Sequence, residues 1–116
     1  MLPQNRRIRY EKDFDALFTK GRKQNGTLFG LRFGPRYRPA TPTRFGFVVG
    51  TKISKDAVVR NRLKRWLREA TRVLLPRVAT GLDIVVVVFP EGREATFETV
   101  SEELARLLAR AGILKP

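Results

Sequence analysis

The stretch RFGFVVGTKISKDAVVRNRLKRWLREATRVLLP, Arg44 to Pro76, changes its period once, from strand to helix. Arg44 to Thr51 is rich in phenylalanine and valine and reads as a strand. From Lys55 or Asp56 to Leu75 apolar residues recur every three or four positions, which predicts a long helix. Ser54 or Asp56 supplies its N-cap and Pro76 its stop. At about 100° per residue, Val59, Leu63, Trp66, Leu67, Ala70 and Leu74 share one arc, and Trp66 is read as core. Arg60, Asn61, Lys64, Arg65, Arg68 and Arg72 share an opposite arc of roughly 140°. One face packs and the other carries cations.

Downstream, Leu82 to Phe89 is almost wholly apolar and reads as a strand buried on both faces. Pro90-Glu91-Gly92 is a turn. Thr96 to Ala111 is a helix with Phe97, Val100, Leu104, Leu107 and Leu108 on one stripe, and Glu98, Glu102 and Glu103 on its solvent face. Upstream, Asn5 to Arg9 is a basic arm, and Tyr10 to Gly21 is a short helix carried by Phe14, Leu17 and Phe18. Lys23 to Gly34 is extended, Phe29, Leu31 and Phe33 alternating with Leu28, Gly30 and Arg32. Gly34 to Pro42, with three prolines, is a loop. The expectation is one α+β domain over residues 1–116, with helices packed on a small sheet. The strands flanking the long helix are expected to be parallel neighbours, and the general rule makes their crossover right-handed.

Charge narrows the partners. The chain of 116 residues carries 24 Lys and Arg against 11 Asp and Glu, a net of +13. Residues 1–75 hold 19 basic and 5 acidic side chains, and residues 76–116 hold 5 and 6. So uneven a field recruits polyanions, because each neutralised phosphate releases a counterion. Nucleic acid is the first candidate and an anionic membrane surface the second. No apolar run reaches the roughly 18–20 residues of a membrane span, and no apolar segment of signal-peptide type follows the N-terminal arginines. The absence of Cys suits a reducing cytoplasm. The chain has no His either, so it lacks the commonest general base and the usual transition-metal ligands. Asp13, Asp15, Asp56, Glu69 and Asp83 are scattered singly, which argues against a self-sufficient metal-dependent nuclease.

The cationic arc has a chemistry that RNA can use. Successive Arg and Lys one turn apart stand ~6 Å from each other, in step with a phosphate backbone. Arg grips phosphate with a planar fork and stacks on bases. Asn61 offers both a donor and an acceptor to a 2′-hydroxyl or a base edge. The bland alternative is a solvated face, but such faces mix signs, and here only Asp56 and Glu69 oppose eight cations between Thr51 and Arg72. Phe14 and Phe18 read from periodicity as a core stripe.

The run from Arg44 through Gly50-Thr51-Lys52 to Arg60-Asn61-Arg62, Lys64-Arg65 and Arg68 closely resembles the signature of the bacterial ribonuclease P protein subunit. Arg7-Ile8, Phe14, Phe18 and Gly21 are similar to that family's opening, and the resemblance spans nearly the whole chain. It departs where one lysine follows the strand instead of two and where Ser54 stands in place of a glycine. The resemblance implies a small two-layer sandwich of order α-β-β-β-α-β-α, with a four-stranded mixed sheet and a left-handed β-α-β crossover. It implies a protein that cuts nothing alone and partners a catalytic RNA. That RNA removes the 5′ leader of precursor tRNA, using Mg²⁺ held by the RNA and no cofactor held tightly by the protein. Lys52, Arg60, Asn61, Arg62, Lys64, Arg65 and Arg68 then face the catalytic RNA. Phe14 and Phe18 are recast as walls of a leader-binding cleft, with Phe29 and Leu31 beside them and Lys12, Arg9 and Arg22 as flanking cations. Neither a membrane nor a protein partner is implied. An RNA scaffold protein of ribosomal type fits the composition equally well.

Overall fold

Strand β4, Leu82–Val88, is the last strand in sequence and lies inside the sheet. Ile84, Val86 and Val88 project to one face while Val85 and Val87 project to the other, as an apolar run without alternation requires. The computed structural model describes residues 2–36 and 41–115. Before β4 come helix α1 (Glu11–Lys20) and strands β1 (Arg22–Asn25), β2 (Phe29–Pro35) and β3 (Arg44–Val48), then helix α2 (Ala57–Leu74). Helix α3 (Phe97–Arg110) follows it. The sheet order is β1-β2-β4-β3. β4 pairs antiparallel with β2 and parallel with β3, so the strands flanking α2 are adjacent and parallel as expected. Of the loop expected across 34–42, residues 37–40 lie outside the described residues.

The main core lies between one sheet face and the paired helices α2 and α3, in the expected α+β arrangement of helices packed on a four-stranded mixed sheet. Phe29, Leu31, Phe33, Phe45, Ile84 and Val86 meet Leu63, Leu67, Leu104, Leu107 and Leu108 there. α1 lies on the opposite face over a smaller cluster of Ile8, Leu17 and Val85. Asp56 caps α2 by accepting the Val58 N–H at 2.8 Å, and Pro76 falls in the short 3-10 turn Leu75–Arg77 that ends it. Thr96 and Thr99 form a reciprocal capping box on α3. β3 stops at Val48 instead of Thr51, because Gly50 to Ile53 turns back on itself through an Ile53 N–H to Gly50 C=O bond. On the outer side of β3 the basic arm adds a bridge at Arg7, and the Ile8 N–H donates to Phe45 C=O at 2.9 Å.

The extended stretch 23–34 is two strands with a turn between them, and the turn explains a misplaced residue. Glu103 does not face solvent. It is 3% exposed and accepts the backbone N–H groups of Thr27 (3.2 Å), Leu28 (2.7 Å) and Phe29 (3.2 Å). It stands beside Leu104 and one turn from Val100 and Leu107, on the stripe that meets the sheet. A tight turn leaves amides unpaired, and a buried carboxylate answers them. Glu103→Ala should lower the unfolding free energy by about 2–4 kcal/mol. Urea denaturation would read this as a lower midpoint; an unchanged midpoint would mean that water serves those amides as well.

Candidate nucleic-acid interface

The sheet face under α1 is built from the polar and small members of each alternation. β2 gives Gly30, Arg32 and Gly34 to it, β4 gives Val85 and Val87, and β3 gives Arg44, Gly46 and Val48. The glycines make room. A Cβ on Gly46 would sit 2.5 Å from the Phe14 ring, and one on Gly30 would sit 2.6 Å from Asn25 Oδ1 and 2.8 Å from the Phe89 ring. Phe14 therefore rests directly on the backbone of β3. Its ring borders a hollow of about 130 Å³ shared with Arg7, Phe47, Lys64 and Arg68. One turn on, Phe18 is 41% exposed and borders a second hollow of about 140 Å³ with Lys23, Asn25, Arg32 and Phe89. The Arg32 guanidinium lies 5.6 Å from the Phe18 ring centroid and also donates to Phe18 C=O.

Three of the residues expected in or beside this cleft are elsewhere. Phe29 and Leu31 are 1% and 0% exposed, and both point into the core beneath α2 and α3. A strand's side chains alternate, so the parity that buries Phe29, Leu31 and Phe33 sends Gly30, Arg32 and Gly34 to the α1 face. Arg22 shares the parity of its partner Phe33 and lies 5.6 Å over that ring, away from the cleft. Arg32 and Lys23 are the sheet cations that do reach it, with Phe89 as a further ring. The sequence alternation put Arg32 on the face opposite Phe29 and Leu31, and pairing with β4 decides which face that is. Lys12 and Arg9 are exposed near the start of α1; Lys12 Nζ lies 5.9 Å from the Tyr10 ring and Arg9 bonds Gln4 Oε1 at 2.8 Å.

On α2 the predicted arc is present. Asn61 and Arg65 are exposed, while Lys64 and Arg68 are half-buried where they line the hollow beside Phe14. Arg60 donates to Ser54 C=O at 2.8 Å, which closes the first turn, and Arg72 pairs with Glu69 at 3.1 Å. Lys52 is exposed in the turn ahead of the helix. Arg62 stands apart from this arc. Two residues beyond Arg60 it is turned about 200° around the axis, and its guanidinium lies 5.1 Å from the Trp66 ring. Trp66 meets Phe97 of α3 edge-on at 6.5 Å, so its role in packing holds.

Behind α1 an ionic group joins the helix to the sheet. Arg44 binds both oxygens of Asp83, at 2.9 and 2.7 Å, and reaches Asp13 of α1 at 3.3 Å. Arg36 adds a contact to Asp83 at 3.7 Å. The hydrogen bonds that Arg44 donates to Asp83, above all, raise the Arg44 pKa beyond its already high ordinary value, against the opposing effect of burial. A raised cation stabilises the fold at every pH below its unfolded value, so this contribution is complete at neutrality and fades only in strong alkali. Asp13 and Asp83, distant in sequence, thus do meet, but across an arginine. Among the described residues no three carboxylates gather as they would around a metal ion.

The Ribonuclease P family profile matches residues 2–112. The ribonuclease P protein component of a Picosynechococcus species is 38% identical over 112 residues, which cover 97% of this chain and 95% of that protein. That of Microcystis aeruginosa is 39% identical over 116 residues, covering 97% and 96%. Among solved structures, the RNase P protein of Thermotoga maritima superposes with a TM-score of 0.80 at 33% identity, over 90% of this chain and 96% of that one. The Staphylococcus aureus RNase P protein shares the fold, with a TM-score of 0.85 at 24% identity over 95% and 98%.

Removing the bidentate partner of Arg44 should loosen α1. Asp83→Asn is expected to cost about 1–3 kcal/mol, less than a fully buried pair because solvent reaches the group. Hydrogen exchange would show faster exchange of the α1 amides, and exchange rates equal to wild type there would mean that Leu17 and Ile8 alone hold the helix.

Proposed function

The chain belongs to the ribonuclease P protein family, and on that premise we propose a division of labour between its two surfaces. It serves as the protein component of the ribonucleoprotein that removes the 5′ leader from precursor tRNA. The arc of α2, with Arg60, Asn61, Lys64, Arg65 and Arg68, binds the catalytic RNA, and Lys52 extends it. The cleft under α1, with Phe14, Phe18, Arg32 and Lys23, takes the single-stranded leader. Rings that stack on bases and cations that track phosphates accept leaders of any sequence.

The observation that carries this reading is the hollow at the edge strand β3. There Phe14, from the cleft, and Lys64 and Arg68, from the helix, share one wall, so the two RNA surfaces are continuous. Hydrolysis belongs to the RNA and to Mg²⁺ held by it. Of the carboxylates, Asp13 and Asp83 are committed to Arg44 and Glu103 to the β1–β2 turn. The setting is the cytoplasm, where precursor tRNA is made; among the described residues no helix is long and apolar enough to cross a membrane. A protein that only scaffolds RNA would need no such cleft.

The test is reconstitution with the cognate catalytic RNA. The protein should lower the Mg²⁺ requirement and favour precursor over mature tRNA. Phe14→Ala should weaken precursor binding by about 1–3 kcal/mol and leave mature tRNA binding unchanged; equal weakening of both would restore the scaffold reading. Arg65→Ala should reduce affinity for the catalytic RNA and flatten its salt dependence by about one ion. A slope identical to wild type would remove α2 from the phosphate contacts.

A further inference from the structure

One exposed ring near α1 has no part in the cleft described above. Tyr10 occupies the N-cap position of α1 and its side chain is 61% exposed. It precedes Phe14 by four residues, as Phe14 precedes Phe18. Its own backbone is extended (φ −98°, ψ 136°), but its carbonyl accepts the N–H groups of Asp13 (3.0 Å) and Phe14 (3.4 Å), so it opens the first turn. Residues at this spacing lie on one side of a helix, about 6 Å apart along the axis. Tyr10 thus stands at the head of the helix that carries the other two rings, one turn before Phe14.

The surroundings of Tyr10 repeat those of the other two rings. It borders a hollow of about 500 Å³ whose walls include Arg7, Arg9, Arg36 and Arg44. Arg7 also lines the hollow beside Phe14, so the two hollows adjoin. Arg36 and Arg44 are occupied by Asp83. Arg7 uses its Nε on Leu2 C=O and Arg9 one terminal nitrogen on Gln4. Each guanidinium has five N–H donors, so both keep several for a ligand. A cation accompanies the ring here as well, Lys12 over Tyr10 as Arg32 over Phe18. A ring flanked by arginines with spare donors suits a nucleotide, base on the ring and phosphate on the guanidinium groups.

Resting on the leader-binding reading, we propose that Tyr10 is a third stacking platform that takes one further nucleotide of the single-stranded leader, its phosphate held by Arg7 and Arg9. Affinity of the reconstituted holoenzyme should be measured for precursor tRNAs that lack the base at one leader position at a time. With wild-type protein, removal of one particular base should weaken binding about fivefold or more, the lower end of base–aromatic stacking. With Tyr10→Ala that loss should vanish, and the silenced position should neighbour the one silenced by Phe14→Ala. Tyr10→Phe, which keeps the ring, should restore it. Mature tRNA binding should be unaffected throughout. If Phe14→Ala silences a position and Tyr10→Ala silences none, the stacking ends at Phe14 and the proposal fails while the cleft stands. If neither does, the leader-binding reading itself fails. If Tyr10→Ala weakens mature and precursor tRNA alike, Tyr10 touches something other than the leader, and the proposal is again overturned.

Discussion

A strand that is apolar on both sides leaves neither face to water. Ile84, Val86 and Val88 on one face of β4 and Val85 and Val87 on the other each need a cover. Area removed from water at roughly 25 cal/mol per Å² makes both covers obligatory. The two covers differ in kind. α2 and α3 together bury the larger face, and α1 alone lies across part of the other. A single short helix cannot close a four-stranded sheet, so the ground beside it stays open, and that open ground is the cleft. The groups proposed to face RNA are thus a by-product of how one valine-rich strand is buried.

The small residues of the open face decide its depth. Had Gly46 a side chain, Phe14 would be lifted off the sheet, and the hollow it shares with Lys64 and Arg68 would change shape. Because β3 is an edge strand, that hollow opens toward the outer side of the sheet, where α2 can reach it. The cations of α2 and the rings of α1 come from opposite faces of the sheet and meet at that hollow. Arg44 fixes the geometry from behind, since its bonds to Asp83 and Asp13 tie the helix that carries the rings to the strands that carry the glycines.

Much of this was legible in the order of residues. The period of α2, its cap at Asp56, its stop near Pro76 and the separation of packing from cationic arcs follow from local chemistry alone. So does the double burial of β4. What escaped reading depended on partners far along the chain. The face to which Phe29 and Leu31 point is set by pairing with β4, more than fifty residues away. Alternation alone allows either parity. Glu103 looked like one more surface carboxylate because the amides that bury it belong to residues 27–29. Arg62 sits in the middle of a motif, yet the neighbouring α3 supplies the contact that holds Trp66 beneath it.

The position of β4, third in space but last of the strands in sequence, also sets the order in which the molecule can come into being. β2 and β3 are not paired with each other and wait for the strand that lies between them. The β1–β2 turn waits longer, for a carboxylate 76 residues beyond Thr27. α2 needs no such distant partner for its caps and is synthesised ahead of β4, although its apolar arc is buried only later. A nascent chain leaving the ribosome therefore exposes its cationic segment before it owns a cleft, and polyanions in the vicinity meet the former first.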